Sequence, residues 1–476
     1  MGAIGRILVT TFALCTQVAI STSRADHVYD VRDFGAVGDG KSLDTAAIQQ
    51  TIDAAARARG GTVRLSQGLF RAGTIRLKSN VTLHIEAGAT LLGSTNIADY
   101  PDITPAITYL YRDRFTKSLI YAEGAENITL AGRGVIDGQG KQFPARPGDD
   151  KGRPYILRFS ECRNVRVENL RFRDSARWLS HYLACANVTI SGVTIRSKIR
   201  ENRDGIDIDS CQDVRISDCL IDTGDDAIVL KATTERPCRR VVVTNCVLSS
   251  LASALKLGTE SNGGYEDIAI SNCAIHDTGY GGIAIEMVDG GVLDRVTVTN
   301  ITMRNVKVPI FVRLGNRARS IPGLPKPGMG ALRNVMISNV QATGASGIGC
   351  SITGIPGFPV ENITLQDIRI EFTGGGTAED VQREIPELIS TYPSGRMFGT
   401  LPAYGLFCRH AKNVRLHNID FSFRREALRP AVLCDDVRDL DIFSLRAQLP
   451  PACKKAIVLR RVDGARIDGR RADMKK

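Results

Sequence analysis

The sequence predicts an all-β chain wound as a single-stranded parallel β-helix with a short N-terminal capping helix. Two observations carry that prediction. An Asn, Asp or Arg followed by alternating apolar residues recurs from Asn127-Ile-Thr-Leu to Asp439-Leu-Asp-Ile, and most of the spacings are 23–28 residues. Each instance is a strand of three or four residues, too short to bury a face alone, so neighbouring coils must stack to make a core. Composition agrees: 46 of 476 residues are Gly and only 6% are aromatic, which suits tight corners and thin layers better than one large core. A sandwich would show turns every 8–12 residues, and propeller blades repeat at about 40–45.

The elements follow in chain order. Arg6, an apolar stretch from Ile7 to Ile20, and Ser23-Arg24-Ala25 have the layout of a secretory signal over residues 1–25. The expected mature chain, residues 26–476, is a single domain exported to the periplasm or beyond, with no stable membrane anchor and read as a monomer. Removing the leader leaves eleven cysteines and a charge of +9. The cap occupies about residues 26–65. Within it Ile48, Ile52 and Ala55 lie at helical spacing, Asp44 or Thr45 can cap, and Gly60-Gly61 ends the helix. Cys219, Cys246 and Cys273, each 27 residues apart, form an expected ladder of buried thiols. With 43% hydrophobic and 24% charged residues the chain is folded rather than disordered.

Aligning the coils isolates a site. Ile206, Ile228, Leu255, Ile283 and Ile310 should stack inward. Asp207, Val229, Lys256, Ala284 and Phe311 should point out, as should Asp209, Lys231, Gly258, Glu286 and Arg313. Just before two of these strands stand Asp204 and Asp226, stacked neighbours, with Asp225 beside them. Three acids so close cannot all ionise cheaply, which raises at least one pKa and sets a proton donor beside a carboxylate base. Solvated turn aspartates or a calcium site are the competing readings of the spacing.

Asn202-Arg203-Asp204-Gly205-Ile206-Asp207 and Gly224-Asp225-Asp226 resemble the Asn-x-Asp-Gly and Gly-Asp-Asp motifs of glycoside hydrolase family 28, the polygalacturonases and their relatives. Asp33-Phe34-Gly35-Ala36 and Gly38-Asp39-Gly40 look like that family's N-terminal segment. The resemblance spans roughly residues 28–445 and implies a right-handed, pectin-lyase-like β-helix that hydrolyses a pectic polysaccharide with inversion, needing no cofactor or metal. It implies Asp225 as general acid, Asp204 and Asp226 as the pair that activates water, and Asn202 as the residue that orients them. Acid and base should then stand about 6.5–9.5 Å apart. Two departures are plain. Ser253 stands where the family has the His of Gly-His-Gly, and Ala284-Ile285-Glu286 stands where it has Arg-Ile-Lys, whose cations bind the galacturonate carboxylate. Lys231, Lys256 and Arg313 on nearby rungs are candidate replacements for that charge. Glu260 and Glu286 are candidates to bond sugar hydroxyls. The stretch Lys256-Leu-Gly-Thr-Glu-Ser261 looks like bacterial relatives of varied pectic substrate.

A β-helix lyase or epimerase and a non-catalytic polysaccharide-binding β-helix are the alternatives. A lyase typically uses an Arg or Lys base with calcium, which the paired acidic motifs fit less well. The charge of +11 suits an acidic polymer, but basic residues scattered along the chain and three clustered acids disfavour nucleic acid. Trp178 is expected at a coil corner, with a possible role in sugar stacking. Tyr265 and Tyr280 are weaker candidates for sugar contact. The segments 313–332 and 374–404 are expected to wall the groove.

Overall fold

The computed structural model describes residues 2, 27–143, 152–198, 202–450 and 455–472. The expected leader lies outside them apart from Gly2. The strands join into one continuous hydrogen-bonded set, parallel throughout except for the terminal pairing of Arg466–Ile467 with Arg470–Arg471 and an isolated bridge between Ile355 and Phe358. Among the described residues no helix is long and apolar enough to cross a membrane.

The corners explain the repeating motif. Its first residue sits at positive φ: Asn127 at 58°, Asn164 at 54°, Asn187 at 53°, Asp213 at 60° and Asn362 at 56°. Asn and Asp enter this left-handed region at lower cost than most residues, which is why they open nearly every instance. The side chains then bond rung to rung. Asn127 Nδ2 donates to Asn80 Oδ1 (2.8 Å), Asn164 to Asn127 (2.9 Å) and Asn187 to Asn164 (2.7 Å). Beyond each corner the strand alternates, so Ile128, Val165, Val188 and Val214 are buried while their neighbours face water.

The register of the site-bearing sheet is the expected one. Ile206 pairs with Ile228, Ile228 with Leu255, Leu255 with Ile283 and Ile283 with Ile310. All are inside the core, and each such side chain contributes about 1.5–3 kcal/mol by leaving water. The outward row runs Asp207, Val229, Lys256, Ala284, Phe311 as anticipated. The second outward row pairs Asp209 with Lys231 and Glu286 with Arg313 as anticipated but breaks at Gly258. Between Leu257 and Ser261 the strand bulges, so Leu230 pairs with Leu257 but Ala232 pairs with Ser261. Gly258 is therefore not the rung above Lys231; the bulge carries Glu260 there instead. Gly258 has φ 113°, and a Cβ on it would lie 2.3 Å from the Glu286 carbonyl oxygen, so only glycine fits.

Cys219, Cys246 and Cys273 form the expected ladder. Each is buried and each thiol donates to the carbonyl two residues earlier at 3.2 Å. The helix α1 spans Thr45–Arg57 and closes the open end of the core with Ile48, Ile52 and Ala55, all fully buried. Its capping differs from expectation. The Asp44 side chain accepts from the backbone of Val37 (2.7 Å) and Gly38 (3.1 Å), pinning the preceding loop, and makes no cap bond.

Candidate active site

The outer face of this sheet is covered on both sides of a short gap. Towards the N-terminus the segment 103–116 lies over it. Arg158, fully buried, donates to the carbonyls of Ile103 (3.4 Å) and Phe115 (2.5 Å) and to the Tyr109 hydroxyl (2.5 Å). Tyr109, Tyr111, Phe115, Tyr155 and Trp178 pack into one cluster there. Towards the C-terminus Ile385, Phe398 and Leu401 bury Ala284, Phe311, Phe407 and Leu433. The rungs beginning at Ile206, Ile228 and Leu255 lie between, so the gap is roughly 10 Å along the stack.

A cleft of about 270 Å³ opens in this gap, and Asp204, Asp225 and Asp226 line it with Asn202, Lys231 and Glu260. One oxygen of each of the three aspartates lies within 4.8 Å of the others. This is closer than the 6.5–9.5 Å expected for acid and base. The reason is the scaffold: the acid Asp225 is the chain neighbour of Asp226, and Asp204 stands on the adjacent coil, one rung spacing of about 4.8 Å away. Asp225 is half-buried. It accepts from the backbone N–H of Asn202 (2.8 Å) at one oxygen and of Asp226 (3.0 Å) at the other. Thr223 and Ser250 hydroxyls donate to its carbonyl (2.6 and 2.7 Å), fixing the corner. Burial, then the charge of Asp226, pushes the Asp225 carboxyl above its ordinary value. Burial and the charge of Asp207 push Asp204 well up. Asp207 is fully buried and pushed up to about 8, chiefly by desolvation.

Two buried lysines divide these acids. Lys231 Nζ lies 3.3 Å from Glu260 Oε2, 3.6 Å from Asp207 Oδ1, 3.7 Å from Asp204 Oδ2 and 4.4 Å from the Trp178 ring centroid. Lys256 Nζ lies 3.0 Å from Asp226 Oδ2, 3.6 Å from Glu286 Oε2 and 3.1 Å from the Tyr392 hydroxyl. Glu260 is held well below its ordinary pKa despite burial, because Lys231, Arg319 and Arg317 surround it. Its other oxygen accepts from Tyr111 (2.8 Å) and Arg319 (2.6 Å). Glu286 accepts from Thr259 (3.3 Å), and burial pushes it up to about 7.

Asn202, Lys231 and Glu260 thus line the cleft with the three aspartates. Lys256 and Glu286 lie just behind it. Ser253 contributes its backbone N–H, which donates to Asp226 Oδ1 (3.0 Å). Arg313 is a correction. It is buried away from the cleft, donating to the carbonyls of Gly354 (2.9 Å) and Glu387 (2.5 Å), and so anchors the wall. Tyr265 is also fully buried, its hydroxyl donating to the Glu260 carbonyl (2.5 Å), and touches no open surface. Tyr280 carries Arg396 over its ring at 4.0 Å. Trp178 is the corner residue expected, yet it also lines the cleft. Coil alignment missed Tyr111, Arg114, Phe115 and Arg153. They arrive on stretches outside the repeat, and the Tyr109-Leu110-Tyr111 cluster was their only sequence signal. The segments expected as walls do supply Arg317, Arg319 and Tyr392.

A larger cavity, about 580 Å³, lies farther along the sheet. There His410 is held between Asp436 (2.5 Å) and Glu387 (3.1 Å), and Arg409 pairs with Glu387 (3.3 Å).

A solenoid with clustered carboxylates beside a short cleft defines a glycosidase of the right-handed parallel β-helix class. Residues 62–389 match glycosyl hydrolases family 28, and the chain belongs to that family. It is 28% identical over 366 residues to a probable polygalacturonase of Vitis vinifera, covering 72% of this chain and 74% of that one. An exo-poly-alpha-D-galacturonosidase of Dickeya chrysanthemi is 25% identical over 363 residues, covering 64% of this chain and 60% of the other. The crystal structure of a hyperthermoactive exopolygalacturonase from Thermotoga maritima superposes with a TM-score of 0.66 at 21% identity, over 83% of this chain and 92% of that one.

Proposed function

We propose that this glycosidase is an exported enzyme that hydrolyses a pectic polysaccharide from a chain end, as a monomer and with inversion at the anomeric carbon. The observation that carries the chemistry is the carboxylate trio within 4.8 Å. Like charges at that distance cannot all ionise cheaply, so the cluster retains a proton. Asp225 is the general acid: Asp204 and Asp225 are both pushed up, and of the two only Asp225 is partly exposed and so able to deliver that proton to the leaving oxygen. Asp204 and Asp226 together bind and activate the water. For inversion the water held between these two must meet the anomeric carbon from the side opposite the leaving oxygen that Asp225 protonates. Asn202 positions Asp225 through its backbone N–H.

The walls on both sides of a gap three rungs long support action at an end, since a continuing polymer would run into the segments 103–116 and 385–401. The relatives named as polygalacturonases and exo-galacturonosidases support the pectic substrate. The lysines favour hydrolysis over a calcium-assisted lyase, because they already neutralise the carboxylates a metal would need. Proton NMR of the first product from pectic oligosaccharides, with length analysis, tests the reading. Inverted anomers released as short units are expected. Retained anomers would overturn the inversion, random mid-chain scission the end action, and a chelator-sensitive unsaturated product the hydrolysis.

A further inference from the structure

The three aspartates of the cleft are not held alike. Asp225 accepts from backbone N–H groups, those of Asn202 and Asp226. Asp204 Oδ1 is buried with no hydrogen-bond partner among the described residues. Lys231, 3.7 Å from the other oxygen of Asp204, lies closer to Glu260 (3.3 Å) and Asp207 (3.6 Å). Asp226 has a donor at each oxygen: the Ser253 N–H at Oδ1 (3.0 Å) and the Lys256 ammonium at Oδ2 (3.0 Å). A cation in contact favours the charged form of a carboxyl, whereas a buried oxygen without a donor disfavours it. Lys256 stands on the coil after Asp226, buried behind the cleft rather than in its lining. Burial works against its charge, but Asp226 and Glu286 more than offset this and hold Lys256 well above its ordinary pKa. Glu286, 3.6 Å away on the following coil, competes for the ammonium; burial pushes it up to about 7, so below that pH Lys256 serves Asp226. From the wall the Tyr392 hydroxyl reaches Lys256 at 3.1 Å, and Arg317 lies 5.4 Å from the centroid of the same ring. Asp225 and Glu260 add negative charge around Lys256, and Lys231 adds positive.

We propose that Lys256 is a positioning residue for the trio: its ammonium keeps Asp226 ionised and so confines the shared proton to Asp204 and Asp225. Of the pair that binds the water, Asp226 is then the one always free to take its proton. A base that already carries a proton cannot do so, and the ion pair therefore sets the fraction of molecules competent to react. Lys256 acts through Asp226 and makes no contact with the sugar. The inference rests on the reading of the cleft as the glycosidase site.

The pH profile of kcat/KM on pectic oligosaccharides tests it. In Lys256→Gln the limb that rises with pH, which reports ionisation of the base, should move to higher pH by about one to three units, because removing a neighbouring cation raises a carboxyl pKa. KM should change little. Lys256→Arg, which keeps the cation, should bring the limb back towards its natural position. A limb unmoved in Lys256→Gln, or moved equally in Lys256→Arg, would overturn the inference, as would a raised KM with the limb in place. Carboxyl 13C NMR of the natural protein labelled at aspartate gives a second reading that needs no substrate. The Asp226 signal, identified by its loss in Asp226→Asn, should stay ionised over the range in which Asp204 and Asp225 release their shared proton. Asp226 titrating with them or after them removes the inference, even where Lys256→Gln does not fold. If no pectic oligosaccharide is cut at any pH, the hydrolytic reading fails and the NMR titration alone decides the role of Lys256.

Discussion

At one corner of the solenoid Asn80, Asn127, Asn164 and Asn187 repeat one residue type, one backbone conformation and one hydrogen bond from rung to rung. On the site-bearing sheet, the outward row changes at every rung: Asp207, Val229, Lys256, Ala284, Phe311. The corner must satisfy the same backbone geometry in each coil, so its sequence is periodic. The outward row meets a different partner at each level: Lys231 over Asp207, Tyr392 over Lys256, and Phe398 and Leu401 around Phe311. Periodicity in this molecule marks what folds it, and loss of periodicity on one face marks where it works.

The sharpest way to separate the two regions is Asp225→Asn. It removes the proton donor and keeps the shape, and its single carbonyl oxygen can still accept from one of the two backbone N–H groups, Asn202 or Asp226, that the carboxylate accepts. Hydrolysis measured by reducing ends should fall by about 10²–10⁴-fold. Thermal stability should change little, because relief among three crowded carboxyls offsets the one backbone acceptor lost. A variant that keeps full activity would move the acid elsewhere.

The converse change is Asn164→Val at the corner. Asn164 has φ 54° and bonds both Asn127 and Asn187. A β-branched residue there pays for the left-handed backbone and leaves the ladder broken, a loss of about 2 kcal/mol in urea unfolding. Activity per folded molecule should be unchanged. If activity falls with stability intact, the corner and the cleft are coupled in a way the structure does not show.

The same contrast explains how much could be read before the structure. The fold, the inward ladder from Ile206 to Ile310 and the cysteine ladder were all legible, because each is a repeat with a single physical cause. Asp204, Asp225 and Asp226 were legible as local motifs on that frame. The bulge that brings Glu260 to Lys231 was not, since nothing in Leu257-Gly258-Thr259-Glu260 announces two additional residues in the strand. Arg313 was misplaced for a related reason. Its outward direction follows from the alternation, but the segment 385–389 that buries it is over seventy residues away in sequence. Tyr111 and Arg153 come from outside the repeat and have no register to argue from.

A third comparison sets the buried charge of the site against the uncharged corner through pH. Glu286 has an ordinary pKa of 4.5 and is pushed up to about 7 by burial, only partly offset by Lys256. The folded protein therefore holds a proton that the unfolded chain releases between those values. Its contribution to stability is fully present below 4.5 and is lost as pH rises towards 7. Asp207 acts in the same direction up to about 8, whereas Glu260, held low by its cations, gains stability as pH rises through the acid range below 4.5. Subtracting Glu286→Gln from the natural protein isolates the first of these. The variant should lose less stability between pH 4.5 and 7, read from urea midpoints at each pH. Parallel pH profiles for the two proteins would show that Lys256 compensates Glu286 fully and that its burial carries no net cost.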